Sequence, residues 1–304
     1  MQEKMYHAPV LLNECIEGLA IRPDGVYVDV TFGGGGHSGE IWKRLTTGKL
    51  FAFDQDTDAK ANAVPLESER FTLVETNFRH LQRYLKQYGV EKFDGLLADL
   101  GVSSHQIDSP ERGFSTRFDA DLDMRMDGRA PLTAQRVLRD YPEAQLHRIF
   151  GMYGEVHNAR TLASVVVQER INHPLRTVND LKTAVGRLAP RGKENKYFAQ
   201  VFQALRIEVN DELKALEEML EQATEMLRPG GRLVVMSYHS LEDRLVKNLI
   251  AKGKFSGEVE KDLFGNPRKP LRATSRKQPV VASEEELQRN PRARSAKLRI
   301  AEKI

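Results

Sequence analysis

Between residues 26 and 39 the chain reads VYVDVTFGGGGHSG, an aliphatic run closed by an acid and followed by four consecutive glycines and a histidine. Without Cβ atoms, such glycines let the backbone turn sharply and approach a ligand closely beside a helix N-terminus. The register Gly34-x-Gly36-x-x-Gly39 satisfies the dinucleotide fingerprint GxGxxG. Alone that match is weak, because a bare strand–turn–helix can meet it without any ligand. Asp29 closes the strand before the glycines and suits a cationic ligand better than a pyrophosphate. In KLFAFDQD, Asp54 follows Gly33 by 21 residues. An acid at that place accepts hydrogen bonds from ribose hydroxyls, and Asp56 is close enough to compete for the role. SYHSLEDR (237–244) crowds Ser237, His239, Ser240, Glu242 and Asp243 together. None of these serines lies in a GxSxG elbow, which argues against a Ser/His/Asp hydrolase. Helix capping by Ser240 ahead of Glu242 and Asp243 accounts for much of the segment, with His239 left as a candidate base.

Strand-like segments hold these residues in place. VYVDV (26–30), KLFAF (49–53), RFTLVE (70–75) and FDGLLADL (93–100) are short aliphatic or β-branched runs bounded by turn residues. Helix-like stretches between the early ones, Ser38 to Leu45 and Asp58 onward, predict a parallel sheet with helices on its faces. From about 105 to 205 only helical periods occur. Pro142 opens one helix, and Ala159, Leu162, Ala163, Val166 and Arg170 mark one face of another. Residues 211–231 read as an amphipathic helix stopped by Pro229, Gly230 and Gly231, after which RLVVMSY (232–238) restores a strand. PVVA (279–282) and AKLRIAE (296–302) predict two final strands. The expected architecture is an α/β domain, residues 1–108 and 206–304, interrupted by an all-helical insertion at 109–205.

Of the 304 residues, 40% are hydrophobic and 29% charged, too apolar for a disordered chain. The single cysteine, Cys15, excludes an intramolecular disulfide framework and a cysteine-built zinc or iron–sulfur site. No apolar run approaches the ~20 residues needed to span a bilayer. Acids stand where a secretory signal would be apolar, so a cytoplasmic protein is expected. DADLDMRMDGRA (119–130) resembles a calcium loop but has Met124 and Ala130 where glycine and glutamate are required. With no HExxH and no paired Cys/His spacing, no metal is expected. The net charge of +3 hides an asymmetry: residues 251–304 hold 14 basic and 7 acidic residues. Within RKPLRATSRK (268–277), Arg268, Lys269, Arg272, Arg276 and Lys277 form either a solvated surface or a phosphate-contacting patch.

Asp29-x-Thr31-x-Gly33-x-Gly35 also fits the first motif of S-adenosyl-L-methionine (SAM)-dependent methyltransferases, with Thr31 at the usual first glycine. Over nearly its whole length the chain resembles the bacterial small-subunit rRNA cytosine-N4 methyltransferase (RsmH, MraW) family. The matching blocks are HxPVLLNE (7–14), DVTFGGGGHS (29–38), DGLLADLGVSSHQID (94–108), ERGFS (111–115), LDMRMD (122–127), FQALRIEVNDEL (202–213), LRPGGRLVVMSYHSLEDRLVK (227–247) and NPRARSAKLRIAE (290–302). It departs from the family's pattern at His105, usually proline, and at Phe118–Asp119, where a glycine-containing turn is common.

The resemblance implies a class I SAM-dependent methyltransferase fold, Rossmann-like, with a mostly parallel seven-stranded sheet and an inserted helical domain that recognises RNA. It implies methyl transfer to the N4 amine of a cytidine in the decoding centre, at the P site, of 16S rRNA within an assembled or nearly assembled small subunit. It further implies that Gly34, Gly35, Gly36, His37, Asp54, Phe78, Asp99 and Gln106 contact SAM. Asp99 takes a second role in orienting the amine, and His239 is a further catalytic candidate. A homodimer through the insertion is a further expectation, and Arg191, Lys193 and Lys196 are expected to join the 268–277 run on phosphates. A DNA amino-methyltransferase shares this chemistry, but neither SPPY nor DPPY occurs in the chain. A catalytically idle RNA-binding module is disfavoured by the joint retention of Gly34–His37, Asp54 and Asp99, and an NAD oxidoreductase by Asp29.

Overall fold

The aliphatic runs pair into one sheet. The computed structural model describes residues 9–66, 68–265 and 267–304. His7 of the first matched block, and the first eight residues of the N-terminal stretch read for a secretory signal, lie outside the described residues. The strands are β1 (Val26–Asp29), β2 (Lys49–Asp54), β3 (Phe71–Glu75), β4 (Phe93–Asp99), β5 (Leu227–Ser237), β6 (Leu271–Ala273) and β7 (Lys297–Lys303), in spatial order β3-β2-β1-β4-β5-β7-β6. Neighbours among β1 to β5 pair in parallel, whereas β7 is antiparallel to both β5 and β6. Strand order reverses between β1 and β4, so the loops leaving their carboxyl ends diverge and open a crevice there.

Alternation along the strands builds a core on each face. Tyr27, Leu50, Ala52, Leu97 and Val234 pack with helices Leu12–Leu19 and Gly36–Arg44. Val28, Phe51, Phe53, Leu96 and Leu233 pack with helices Leu81–Gln87, Glu212–Met226 and Ser240–Lys252. Among the described residues no helix is long and apolar enough to cross a membrane.

Two sequence expectations need correction. PVVA is not a strand: Val280 makes a single bridge to Leu298, and the sixth strand is Leu271–Ala273, inside the basic run. Between those two points the Gln278 carboxamide takes over the ladder, donating to the Ile300 carbonyl at 2.6 Å and accepting from the Ile300 N–H at 3.3 Å. Pro229–Gly231 does not separate a helix from a strand. β5 begins at Leu227, opposite Phe93, and the register shifts before Gly95 meets Arg232. A Cβ on Gly231 would lie 2.8 Å from the Arg228 carbonyl oxygen and 2.9 Å from that of Asp94, so this irregularity requires glycine.

The chain divides into two compact units: the described residues through Gly101 with Leu213–Ile304, and Val102–Glu212. The borders thus differ by several residues from the expected 108/109 and 205/206. The second unit is helical, with Leu138, Ile149, Phe150, Leu162, Val166, Phe202 and Leu205 in its core. Ala159, Leu162, Ala163 and Val166 are buried on one helix face, and Arg170 ends that stripe by donating to the carbonyls of Leu138 and Tyr141.

Candidate active site

The glycine loop leaves β1 at the switch point. Gly33 and Gly35 have φ of +50° and +76°, the left-handed region that glycine enters without penalty. Gly35 is the N-cap of helix Gly36–Arg44, and Gly34 and Gly36 are solvent-exposed. A Cβ on Gly36 would lie 2.3 Å from Cγ of Pro9, so a side chain there would force the two segments apart. The Asn62 side chain donates to the Gly33 carbonyl at 2.9 Å. The Gly33 N–H donates to Oδ2 of Asp54 at 2.7 Å, while the other Asp54 oxygen accepts from the Asp56 N–H at 2.8 Å. Asp54 therefore fixes the loop as well as facing the site. Asp56, its rival in the sequence, turns its carboxylate to the Asp58 N–H at 3.1 Å.

Three acids stand at the carboxyl ends of β1, β2 and β4. Asp29 is buried, accepting from the Ser38 hydroxyl at 2.7 Å and the Thr31 N–H at 3.0 Å. The Thr31 hydroxyl accepts from the Asp99 N–H at 2.7 Å, tying the end of β4 to the turn after β1. Burial outweighs these hydrogen bonds and holds the Asp29 carboxyl above its usual range. Asp54 and Asp99 are each pushed up to about 6, chiefly by burial, with Asp29 opposing the ionisation of both. A cluster of desolvated carboxylates beside exposed glycines favours any ligand that brings positive charge.

Asp99 has a different partner on each oxygen. Its Oδ1 accepts from the Tyr238 hydroxyl at 2.7 Å, and its Oδ2 lies 3.8 Å from Nδ1 of His37. His37 is buried, with Nε2 3.2 Å from the Val10 carbonyl; that contact assigns the Nε2 proton and leaves Nδ1 facing Asp99. Sequence reasoning missed Tyr238, although it stands inside the SYHSLEDR segment. The available signal was positional: Met236 is the register partner of Asp99, and Tyr238 follows two residues later.

The other expected residues are placed less uniformly. Phe78 begins the short turn Phe78–His80 and is only partly buried against the core. Gln106 belongs to the helical unit, where it forms a reciprocal capping box with Ser103. His239, not Ser240, caps helix Ser240–Lys252: its Nδ1 accepts from the Glu242 N–H, and its Nε2 lies 3.3 Å from the Glu242 carboxylate. That geometry gives His239 a capping role. Asp243 ion-pairs with Arg299 of β7 at 2.7 Å, and the Ser237 hydroxyl is directed at the Lys297 carbonyl, 3.4 Å away.

The acids and glycines fit a cofactor with a cationic centre, an amino group and a ribose better than one with a pyrophosphate. The reversed β7 between β5 and β6 also separates this sheet from an all-parallel dinucleotide-binding sheet. The fold is that of the class I SAM-dependent methyltransferases. Within that class the chain belongs to the MraW methylase family, which matches it over residues 4–304. It is 59% identical to the ribosomal RNA small subunit methyltransferase H of Cytophaga hutchinsonii, covering 98% of this chain and 100% of that one. The proteins of the same name from Flavobacterium johnsoniae and Parabacteroides distasonis are 56% and 55% identical, the first over 98% of both chains and the second over the whole of both.

Proposed function

We propose that this chain methylates small-subunit rRNA, transferring the methyl group of SAM to the exocyclic N4 amine of a cytidine in the decoding centre, at the P site of 16S rRNA. Family membership supports the substrate class. The structural observation that carries the chemistry is Asp99, held at the end of β4 by Tyr238 and Thr31 yet 24% exposed, so that it can meet an N–H. Bound SAM supplies a methyl group already activated by its sulfonium. The protein's task is to hold the acceptor in line with it.

Cytosine N4 is a weak nucleophile because its lone pair is delocalised into the ring. A carboxylate that accepts its N–H favours rehybridisation and stabilises the positive charge that grows on nitrogen. Asp99 has this role in the proposal, Asp54 holds the ribose, Phe78 lies on the adenine, and Gly34, Gly35, Gly36 and His37 shape the donor end of the site. A stacked or paired cytosine amine cannot reach a methyl donor in such a crevice, so the target nucleotide must be unstacked. The helical unit, with Arg191, Lys193 and Lys196, and the exposed cations of residues 268–277 hold the flanking RNA.

The test is methyl transfer from tritiated SAM to small subunits from a strain lacking the modification, with naked rRNA in parallel, followed by nucleoside mass spectrometry. The expected product is 4-methylcytidine, formed faster on subunits. No transfer to either substrate, or label in another nucleoside, would overturn the reading.

A further inference from the structure

We propose that Tyr238 is a positioning residue for methyl transfer, holding Asp99 ionised and turning one carboxylate oxygen toward the acceptor amine. This inference rests on the role given to Asp99 above.

Among the described residues, the Tyr238 hydroxyl is the one group that hydrogen-bonds the Asp99 carboxyl, at 2.7 Å on Oδ1. The other groups that act most strongly on its charge are titratable. His37, at the start of its helix, favours ionisation; Asp29 at the end of β1 and Glu242 in the helix after β5 oppose it. Cys15, on helix Leu12–Leu19, also interacts with Asp99, and its buried thiol is held well above its ordinary range. Tyr238 itself cannot compete for the negative charge. Burial and the neighbouring Asp99 raise its hydroxyl far above the usual phenol range, so it remains a donor at every working pH. Its main chain is fixed independently, through an N–H bond of 3.0 Å to the Glu242 carboxylate. The ring runs beside Gly101, whose φ of +91° turns the chain after β4.

Chemically, the hydroxyl engages Oδ1 and stabilises the anion. Oδ2, 3.8 Å from Nδ1 of His37 on a partly exposed side chain, is then the oxygen left to accept from N4. A protonated Asp99 keeps only a neutral acceptor oxygen beside a competing O–H donor, and without its charge gives the growing cation far less support. Tyr238 thus extends the pH range over which Asp99 is an acceptor.

The experiment pairs two readouts on Tyr238→Phe. The first needs no SAM: the Asp99 side chain is titrated by 13C-aspartate NMR, its resonance assigned by its loss in Asp99→Asn. A wild-type midpoint near 6 is expected. In Tyr238→Phe it should rise by about 1–2 pH units, the worth of a hydrogen bond to a charged group. The second is single-turnover methyl transfer across pH. The acid limb should move up with the NMR midpoint, with a rate loss of about 3- to 25-fold at pH 6.5, most of the rate recovered at pH 9, and SAM affinity within about 2-fold. Site-specific 3-fluorotyrosine at 238, a stronger donor in the same shape, should move both midpoints down.

An unchanged Asp99 midpoint, or a rate loss equal at all pH values, would overturn the inference and leave Tyr238 as packing. A wild-type protein that transfers no methyl group to small-subunit RNA would overturn the functional reading instead, while the NMR titration would still report on the Tyr238–Asp99 contact.

Discussion

At the scale of single residues the site sets stability against reactivity. Asp99 is held at about 6 in the folded chain against an ordinary 3.8. Between those values the folded state binds more protons than the unfolded state, so stability is lost as pH rises through that window. The cost at neutral pH is on the order of 3 kcal/mol. Asparagine at 99 keeps an acceptor for Tyr238 without the charge. Asp99→Asn should therefore melt several degrees higher than wild type at pH 7.5 and nearly with it at pH 4.5, as calorimetry would show. The same variant should lose roughly 100-fold or more in single-turnover rate while SAM affinity changes far less. A rate within a few-fold of wild type would reduce Asp99 to a cofactor contact. Asp54 makes a separate prediction. Asp54→Ala removes the proposed ribose acceptor and frees the Gly33 N–H, and should weaken SAM by about 1.5–3 kcal/mol, roughly 10- to 150-fold in Kd. Asp56→Ala, whose carboxylate faces the Asp58 N–H, should leave Kd within about 3-fold by titration calorimetry.

Among elements, the turns of the helical unit show how local chemistry substitutes for a metal-like pattern. In the aspartate-rich stretch, Asp123 pairs with Arg125 at 2.6 Å and Asp127 with Arg129 at 2.8 Å, so arginines in the same turn neutralise the acids. Met124 is buried with φ of +59°, and the preceding turn closes on Gly113. A Cβ on Gly113, where φ is +70°, would lie 2.2 Å from the Asp121 carbonyl oxygen. Gly113→Ala should then cost about 2–4 kcal/mol, read by chemical denaturation, because both the left-handed backbone and the contact oppose it. Gly39→Ala, inside helix Gly36–Arg44, meets nothing within 4 Å and has no positive φ, so as the control it should cost nothing or stabilise slightly.

For the whole molecule, charge is distributed unevenly: the last 54 residues hold +7 while the remainder holds −4. The structure sorts the cations of the 268–277 run. Arg272 is spent on Glu302 at 2.9 Å across β6 and β7, and the same carboxylate takes Arg232 at 3.0 Å. Arg268, Arg276 and Lys277 are exposed, and Lys269 is partly so. Replacing Arg268, Lys269, Arg276 and Lys277 by glutamate should weaken RNA binding and flatten its salt dependence, by about 0.7 in log–log slope for each lost single-strand phosphate contact. SAM affinity should not move. If RNA affinity and salt slope both stay at wild-type values in a filter-binding series, this run is solvated surface.

The sequence by itself determined the parts whose signal is local. Alternating and aliphatic runs placed β1 to β4 to within a residue or so at each end, because burial on two faces dictates residue type along a strand. Four glycines followed by a histidine marked the turn between β1 and the helix after it, because few other backbones can make that turn. Asp29, Asp54 and Asp99 were legible as strand-closing acids for the same reason. What only the tertiary structure decided depends on groups far apart in the chain. The Gly33 N–H meets Asp54 across 21 positions, and the Tyr238 hydroxyl meets Asp99 across 139. Neither pairing leaves a periodic trace. PVVA read as a strand because its residues favour one, yet the edge of β7 was taken by Leu271–Ala273 and by the Gln278 side chain. His239 read as a base because its residue type permits it; that its Nδ1 caps the following helix became visible only in the fold. Residue type limits what a side chain can do; which polar partner reaches it first is settled when the strands pair and the loops close over their ends.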